Sequence, residues 1–148
     1  MKENAIVSLA DSNYFELLNE LINSIKKFDQ SNSVAICILD AGLTEGQKRK
    51  LLAKVDEIKN AEWDIEVPGF KVRGKEWLKS QVSRAFLPNY FPNYKKYLWI
   101  DCDAWVQEWS SIELYFKACE DGKLGITQTM APGYKIMSKV KWLFGKLA

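Results

Sequence analysis

Apolar residues in this chain fall into short continuous runs separated by stretches with helical spacing. Asn4–Ala10 contains Ala-Ile-Val-Ser-Leu-Ala bounded by polar residues, which predicts a buried strand. In Tyr14–Phe28 the apolar positions are 14, 17, 18, 21, 22, 25 and 28. That is the period of an amphipathic helix, and Asp11, Ser12 and Asn13 offer N-cap side chains before it. Ser33–Leu39 is a second apolar run ending at Asp40. Gly42 then supplies a turn, and Thr44 caps a second helix that extends to about Lys59, with Leu43 placed as a hydrophobic staple. Trp63–Val67 alternates apolar and polar like a half-buried strand and stops at Pro68-Gly69. Residues 75–91 have helical spacing, with Pro88 kinking or ending the helix. Lys96–Ile100 is an apolar strand leading into Asp101, Ile112–Cys119 a short helix, and Lys123–Thr127 a further strand.

The order β-α-β-α-β-α-β-α-β predicts an α/β/α sandwich with a mostly parallel central sheet. A chain of 148 residues suits one domain, expected over residues 1–134, with a basic amphipathic tail over 135–148. The best boundary lies at Met130–Gly133. Composition changes this picture little: 47% hydrophobic and 27% charged residues are ordinary for a globular protein. Aromatics at 13% favour a dense core and a ring-lined pocket. A net charge of only +2 gives no field that would recruit nucleic acid. The N-terminal apolar run is too short for a signal peptide, and no stretch reaches the ~18 apolar residues of a membrane span. The three cysteines, Cys37, Cys102 and Cys119, form no CxxC pair, and their usage fits a reducing cytoplasm. Histidine is absent, which excludes Ser-His-Asp or Cys-His catalysis and a His-ligated metal within the chain.

Chemistry is left to carboxylates, Lys, Arg, Tyr and the backbone. Ligands of open α/β sheets bind beyond the carboxyl ends of the strands. Three predicted strands end in acid: Ala10-Asp11, Leu39-Asp40 and Ile100-Asp101-Cys102-Asp103. Asp11 can cap the following helix, which does not exclude ligand contact. Asp40 is better read as opening the turn before Gly42. In extended backbone Asp101 and Asp103 project to the same side, where two like charges ~5 Å apart repel by roughly 3 kcal/mol at an effective dielectric near 20. A hard divalent cation relieves that repulsion. An Asp-x-Asp triplet alone is a weak signal, but this one follows the strong apolar run Tyr97-Leu98-Trp99-Ile100.

Four segments in order resemble the family 8 glycosyltransferases of the GT-A fold. They are Ala5–Tyr14, Ile38–Thr44, Ser83–Pro88 and Lys96–Asp103, within a match over roughly residues 4–130. The resemblance implies a UDP-sugar donor bordered by Ala10, Asp11 and Tyr14, with Arg84 near its diphosphate or sugar. It implies Mn²⁺ or Mg²⁺ on Asp101 and Asp103, with Cys102 between them in the donor site. It also implies transfer, with retained anomeric configuration, to a sugar, lipid or protein acceptor. Arg84 reads equally as an ordinary surface residue of an amphipathic helix. The basic cluster Lys71, Arg73 and Lys75 reads first as a solvated loop and second as a phosphate contact.

The resemblance also implies a later half, with a histidine metal ligand and much of the acceptor pocket, that this chain does not contain. A truncated, non-catalytic donor-binding module is therefore the alternative reading. The tail Lys135–Leu147 carries Lys with Trp, Leu and Phe. A peripheral membrane-surface helix is one reading of it, and packing on the sheet or leading into further chain is the favoured one.

Overall fold

The computed structural model describes residues 2–127, so the boundary at 130–133 and the tail from Lys135 lie outside the described residues. Four parallel strands form the sheet: β1 (Asn4–Ala10), β2 (Ala35–Asp40), β3 (Glu57–Asn60) and β4 (Lys96–Trp99), in the order β3-β2-β1-β4. β1 is central and buried along all but its first residue, because it carries apolar or small side chains on both faces. Its neighbours lie in register, with Ala10 opposite Asp40 on one side and Val7 opposite Trp99 on the other.

The helices cover the sheet unequally. Helices α1 (Phe15–Lys26) and α6 (Trp109–Ala118) pack on the face of Ile6, Ala10, Ile36, Ile38 and Leu98. Phe15, Leu18, Leu21, Ile22 and Ile25 form the buried stripe of α1, and Trp109, Ile112 and Phe116 form that of α6. Helix α2 (Glu45–Leu52) adds Leu51 to the same core. Ala5, Val7, Leu9, Cys37 and Leu39 point to the opposite face. There the chain between β3 and β4 makes three short helices, α3 (Gly69–Val72), α4 (Lys79–Ser83) and α5 (Leu87–Tyr90), with a 3₁₀ turn at Glu76–Leu78. Leu87 and the fully buried Phe91 fill this second core. The predicted α/β/α layering and parallel sheet are therefore present, with one layer of long helices and one of short helices.

Several boundaries differ from the sequence reading. Thr44 caps α2 as expected, in a capping box with Gln47. The helix nevertheless ends at Leu52 instead of Lys59. The amides of Lys54 and Val55 close on the Leu51 carbonyl, and Asp56 then clamps the start of β2. Its amide donates to Ile36 O and its Oδ2 accepts from Ile36 N, both at 2.8 Å. The third strand is consequently Glu57–Asn60, and Trp63–Val67 is not a strand. The helix expected over 75–91 is broken: Phe86 N–H turns back to the Ser83 carbonyl, and Pro88 sits in the first turn of a new short helix. Residues 123–127 are also not a strand. Leu124 and Ile126 are exposed, with no neighbouring strand to complete a ladder among the described residues.

The segment after β4 is tied to α1 by one buried hydroxyl. Ser24 Oγ donates to the Leu21 carbonyl at 2.7 Å and accepts the Val106 amide at 3.0 Å. Ser24→Ala leaves the buried Val106 N–H without a partner, an expected cost of about 1–3 kcal/mol, measured by urea denaturation. A Ser24→Thr chain keeps the hydroxyl and is expected to retain more of that stability.

Candidate functional site

A cleft of about 370 Å³ opens at the carboxyl ends of β1 and β4. Leu9, Ala10, Asp11, Asn13 and Tyr14 line one side, Trp77, Ser80 and Gln81 another, and Trp99 with Asp101-Cys102-Asp103 the remainder. The β1 side is built by two loops stitched together. Ala41 N–H bonds to Ala10 O at 3.0 Å, Ser12 N–H to Gly42 O at 3.1 Å, and Gln47 Nε2 to Ser12 O at 3.1 Å. Gly42 adopts φ of +130°, a conformation that favours glycine, and an added Cβ would lie 3.9 Å from that of Asp11.

The three strand-end acids have different partners. Asp40 is buried. Its Oδ1 accepts the amides of Gly42 and Leu43 at 2.8 and 2.6 Å, and its Oδ2 pairs with Lys48 at 2.7 Å. Burial pushes its carboxyl upward, but the Lys48 bond and the two amides outweigh that and hold it below the usual carboxylate range. It does not line the cleft and serves the turn. Asp11 holds the turn before α1 and lines the cleft: Oδ1 accepts the amides of Asn13 and Tyr14 at 2.9 and 3.2 Å. The helix itself starts from Tyr14 with no side-chain cap, unlike the capping expected of Asp11, Ser12 or Asn13. Asp101 and Asp103 are exposed.

Asp101 and Asp103 reach one cleft by a route other than the expected extended chain. The Ala104 amide bonds to the Asp101 carbonyl at 3.0 Å, so Asp101–Ala104 is a turn. Cys102 within it packs against the α1–α6 core. Burial first, and the Asp103, Asp101 and Asp11 charges with it, push the Cys102 thiol up to about 11. Negative charge thus gathers around this turn. Arg84 meets it: Nη2 pairs with Asp101 Oδ1 at 3.2 Å, and Trp99 Nε1 donates to the same oxygen at 2.7 Å.

Ala10, Asp11, Tyr14, Asp101, Cys102 and Asp103 all line the cleft, and Arg84 contacts it through Asp101. Arg73 and Lys75 are exposed and lie outside the cleft lining. Trp77, Ser80, Gln81, Asn13 and Trp99 escaped the sequence reading. Trp77 is 48% exposed and borders the cleft, a placement that residue spacing does not reveal. Among the described residues no group of three His, Cys, Asp or Glu side chains closes a metal site, and no helix is long and apolar enough to cross a membrane.

Solved structures with the same chain path define the class. Two crystal structures of LgtC, one an active-site mutant and one the galactosyltransferase in complex with donor and acceptor sugar analogs, superpose with TM-scores of 0.53 and 0.52. Identities are 21% and 19%, and each match covers 73% of this chain and 41% of LgtC. The fold is therefore that of the GT-A glycosyltransferases. The family model for glycosyl transferase family 8 matches residues 5–124, most of the chain, and the chain belongs to that family. It spans about two fifths of the length of these structural neighbours. No curated protein matches it significantly in sequence.

The lowered carboxyl of Asp40 has a pH signature. Its contribution to stability is full above the ordinary carboxylate pKa and is lost as pH falls through the depressed folded value. Asp40→Asn keeps an acceptor for the two amides but loses the Lys48 pair. It is expected to cost about 1–3 kcal/mol near neutral pH, with the gap to wild type closing in acid below roughly pH 4. Thermal melts across pH 2–7 (an approximate range set by that linkage) check this.

Proposed function

We propose that the cleft binds the diphosphate and nucleoside of a UDP-sugar donor, and that the chain is the donor-binding part of a glycosyltransferase moving the sugar to a sugar, lipid or protein acceptor with retention. The observation that carries this reading is convergence. Three carboxylates from two strand ends, Asp11, Asp101 and Asp103, and three aromatic rings, Tyr14, Trp77 and Trp99, border one cleft at the carboxyl rim of a parallel sheet. Its volume of about 370 Å³ falls in the range of small-molecule sites. LgtC, whose structure holds donor and acceptor sugar analogs, supports the same substrate class.

The donor set suits a divalent cation. Asp101 and Asp103 offer hard, exposed oxygens, and Mg²⁺ is typically held by one or two carboxylates completed by phosphate oxygens and water. Such a site needs no closed protein cage. Asp101 and Asp103 would hold Mn²⁺ or Mg²⁺, and the bound cation would act as a Lewis acid, neutralising charge on the leaving diphosphate. Asp11 and Asn13 offer hydrogen-bonding groups to a ribose or base, and the half-exposed Tyr14 ring can stack on one. Arg84 presents a fork of donors suited to phosphate oxygens. A donor-binding module that does not complete transfer is the second reading, favoured by the lack, among the described residues, of a group of three His, Cys, Asp or Glu side chains that could hold a metal.

Calorimetric titration with UDP in the presence of Mn²⁺ tests the proposal. Wild type is expected to bind, and Asp101→Ala combined with Asp103→Ala to lose affinity by at least about tenfold, roughly 1.4 kcal/mol or more. Equal binding by both chains would sink it. Sugar transfer or UDP-sugar hydrolysis above background would reject the second reading.

A further inference from the structure

One oxygen of the Asp-x-Asp pair is already engaged. Asp101 Oδ1 accepts from the Trp99 indole at 2.7 Å and from the Arg84 guanidinium at 3.2 Å. Arg84 is steadied from two other directions. Its Nε donates to the Ser80 carbonyl at 2.8 Å, and its Cζ lies 5.0 Å from the centre of the Trp99 ring. A guanidinium and a divalent cation are rival counter-ions for the same carboxylate oxygen. The other preferred partner of a guanidinium is a phosphate oxygen, which its planar fork fits.

We propose that Arg84 is an exchangeable counter-ion. It neutralises Asp101 until a diphosphate takes up the guanidinium, and the oxygen so released then serves the cation, coupling nucleotide binding to cation binding. This rests on the donor reading above. The pair is suited to exchange because both side chains are solvent-accessible, 37% for Arg84 and 59% for Asp101, and ion pairs in water are weak. Trp99 is a positioning residue. Its N–H keeps hold of Asp101 when the guanidinium leaves, so the carboxylate stays aimed at the cleft. By linkage, UDP strengthens Mn²⁺ binding by the same factor as Mn²⁺ strengthens UDP binding.

Calorimetry on the full chain with Mn²⁺ alone, UDP alone and each in the presence of the other reads this coupling. Arg84→Gln is expected to bind Mn²⁺ alone about fivefold more tightly than wild type and UDP alone more weakly, so the mutual enhancement shrinks. A double-mutant cycle separates contact from general charge. In an Asp101→Asn background the gain in Mn²⁺ affinity from Arg84→Gln is expected to vanish. An unchanged Mn²⁺ affinity in Arg84→Gln, or a gain that persists with Asn at position 101, overturns the exchange while leaving the donor reading intact, provided wild type still binds UDP with Mn²⁺. Failure of wild type to bind UDP and Mn²⁺ together removes the donor reading, and the exchange with it.

Discussion

The hydrogen-bond ladder on both sides of β1 is the constraint on which the rest depends. β1 is flanked by β2 and β4 in parallel register, so all three strands deliver their carboxyl ends to one rim. Parallel strands require crossovers, and this requirement places α1 and α2 where they cover the sheet face carrying Ile6, Ile36 and Ile38. The buried apolar residues of β1 fix that register, because a slip of one residue would exchange Ile6 and Ala10 with Val7 and Leu9 between two differently filled cores. Cleft geometry is therefore inherited from the sheet. Asp11 and Asp101 share a cleft because the strands preceding them share a ladder.

Partnership, more than location, distinguishes the acids at this rim. Asp40 spends its oxygens on two amides and Lys48. Asp11 spends one on the turn into α1 and still faces the cleft. Asp101 shares one oxygen between Trp99 and Arg84. Asp103 is exposed and makes no hydrogen bond or ion pair among the described residues. The series runs from a structural acid to one available to a ligand, and it explains how one sheet edge supports both a rigid turn and a chargeable site.

Much of this was legible in the sequence. The apolar runs of β1, β2 and β4 and the stripe of α1 announce themselves because burial on both faces, or on one helical face, leaves a period in the residue order. The turn role of Asp40 was legible from Gly42, and the position of Asp101 and Asp103 at the sheet rim from the strand before them. The third strand was hidden because Glu57–Asn60 carries only one apolar residue, Ile58. Pairing with β2 and the Asp56 clamp make it a strand, and neither leaves a local pattern. The turn at Asp101–Ala104 was hidden for a similar reason, since Ser24 and the α1–α6 core bend that segment from a distance. Trp77 and Trp99 could not be assigned to the cleft from spacing, because the helix read over 75–91 is broken and its faces do not follow one period.

The position of β4 also bears on how the chain is made. β1 is synthesised before β4, and its second ladder joins Asn4 to Lys96, about 90 residues later. At roughly 5–20 residues per second, the ribosome needs about 5–18 s to supply that partner. For this interval one edge of an apolar strand has only β2 beside it, and its other edge is a template for pairing with a foreign strand. The order of elements therefore exposes a nascent chain to misassociation on the Asp101 side of the sheet until β4 arrives. A chaperone that shields β1 early would act at the step on which the cleft depends.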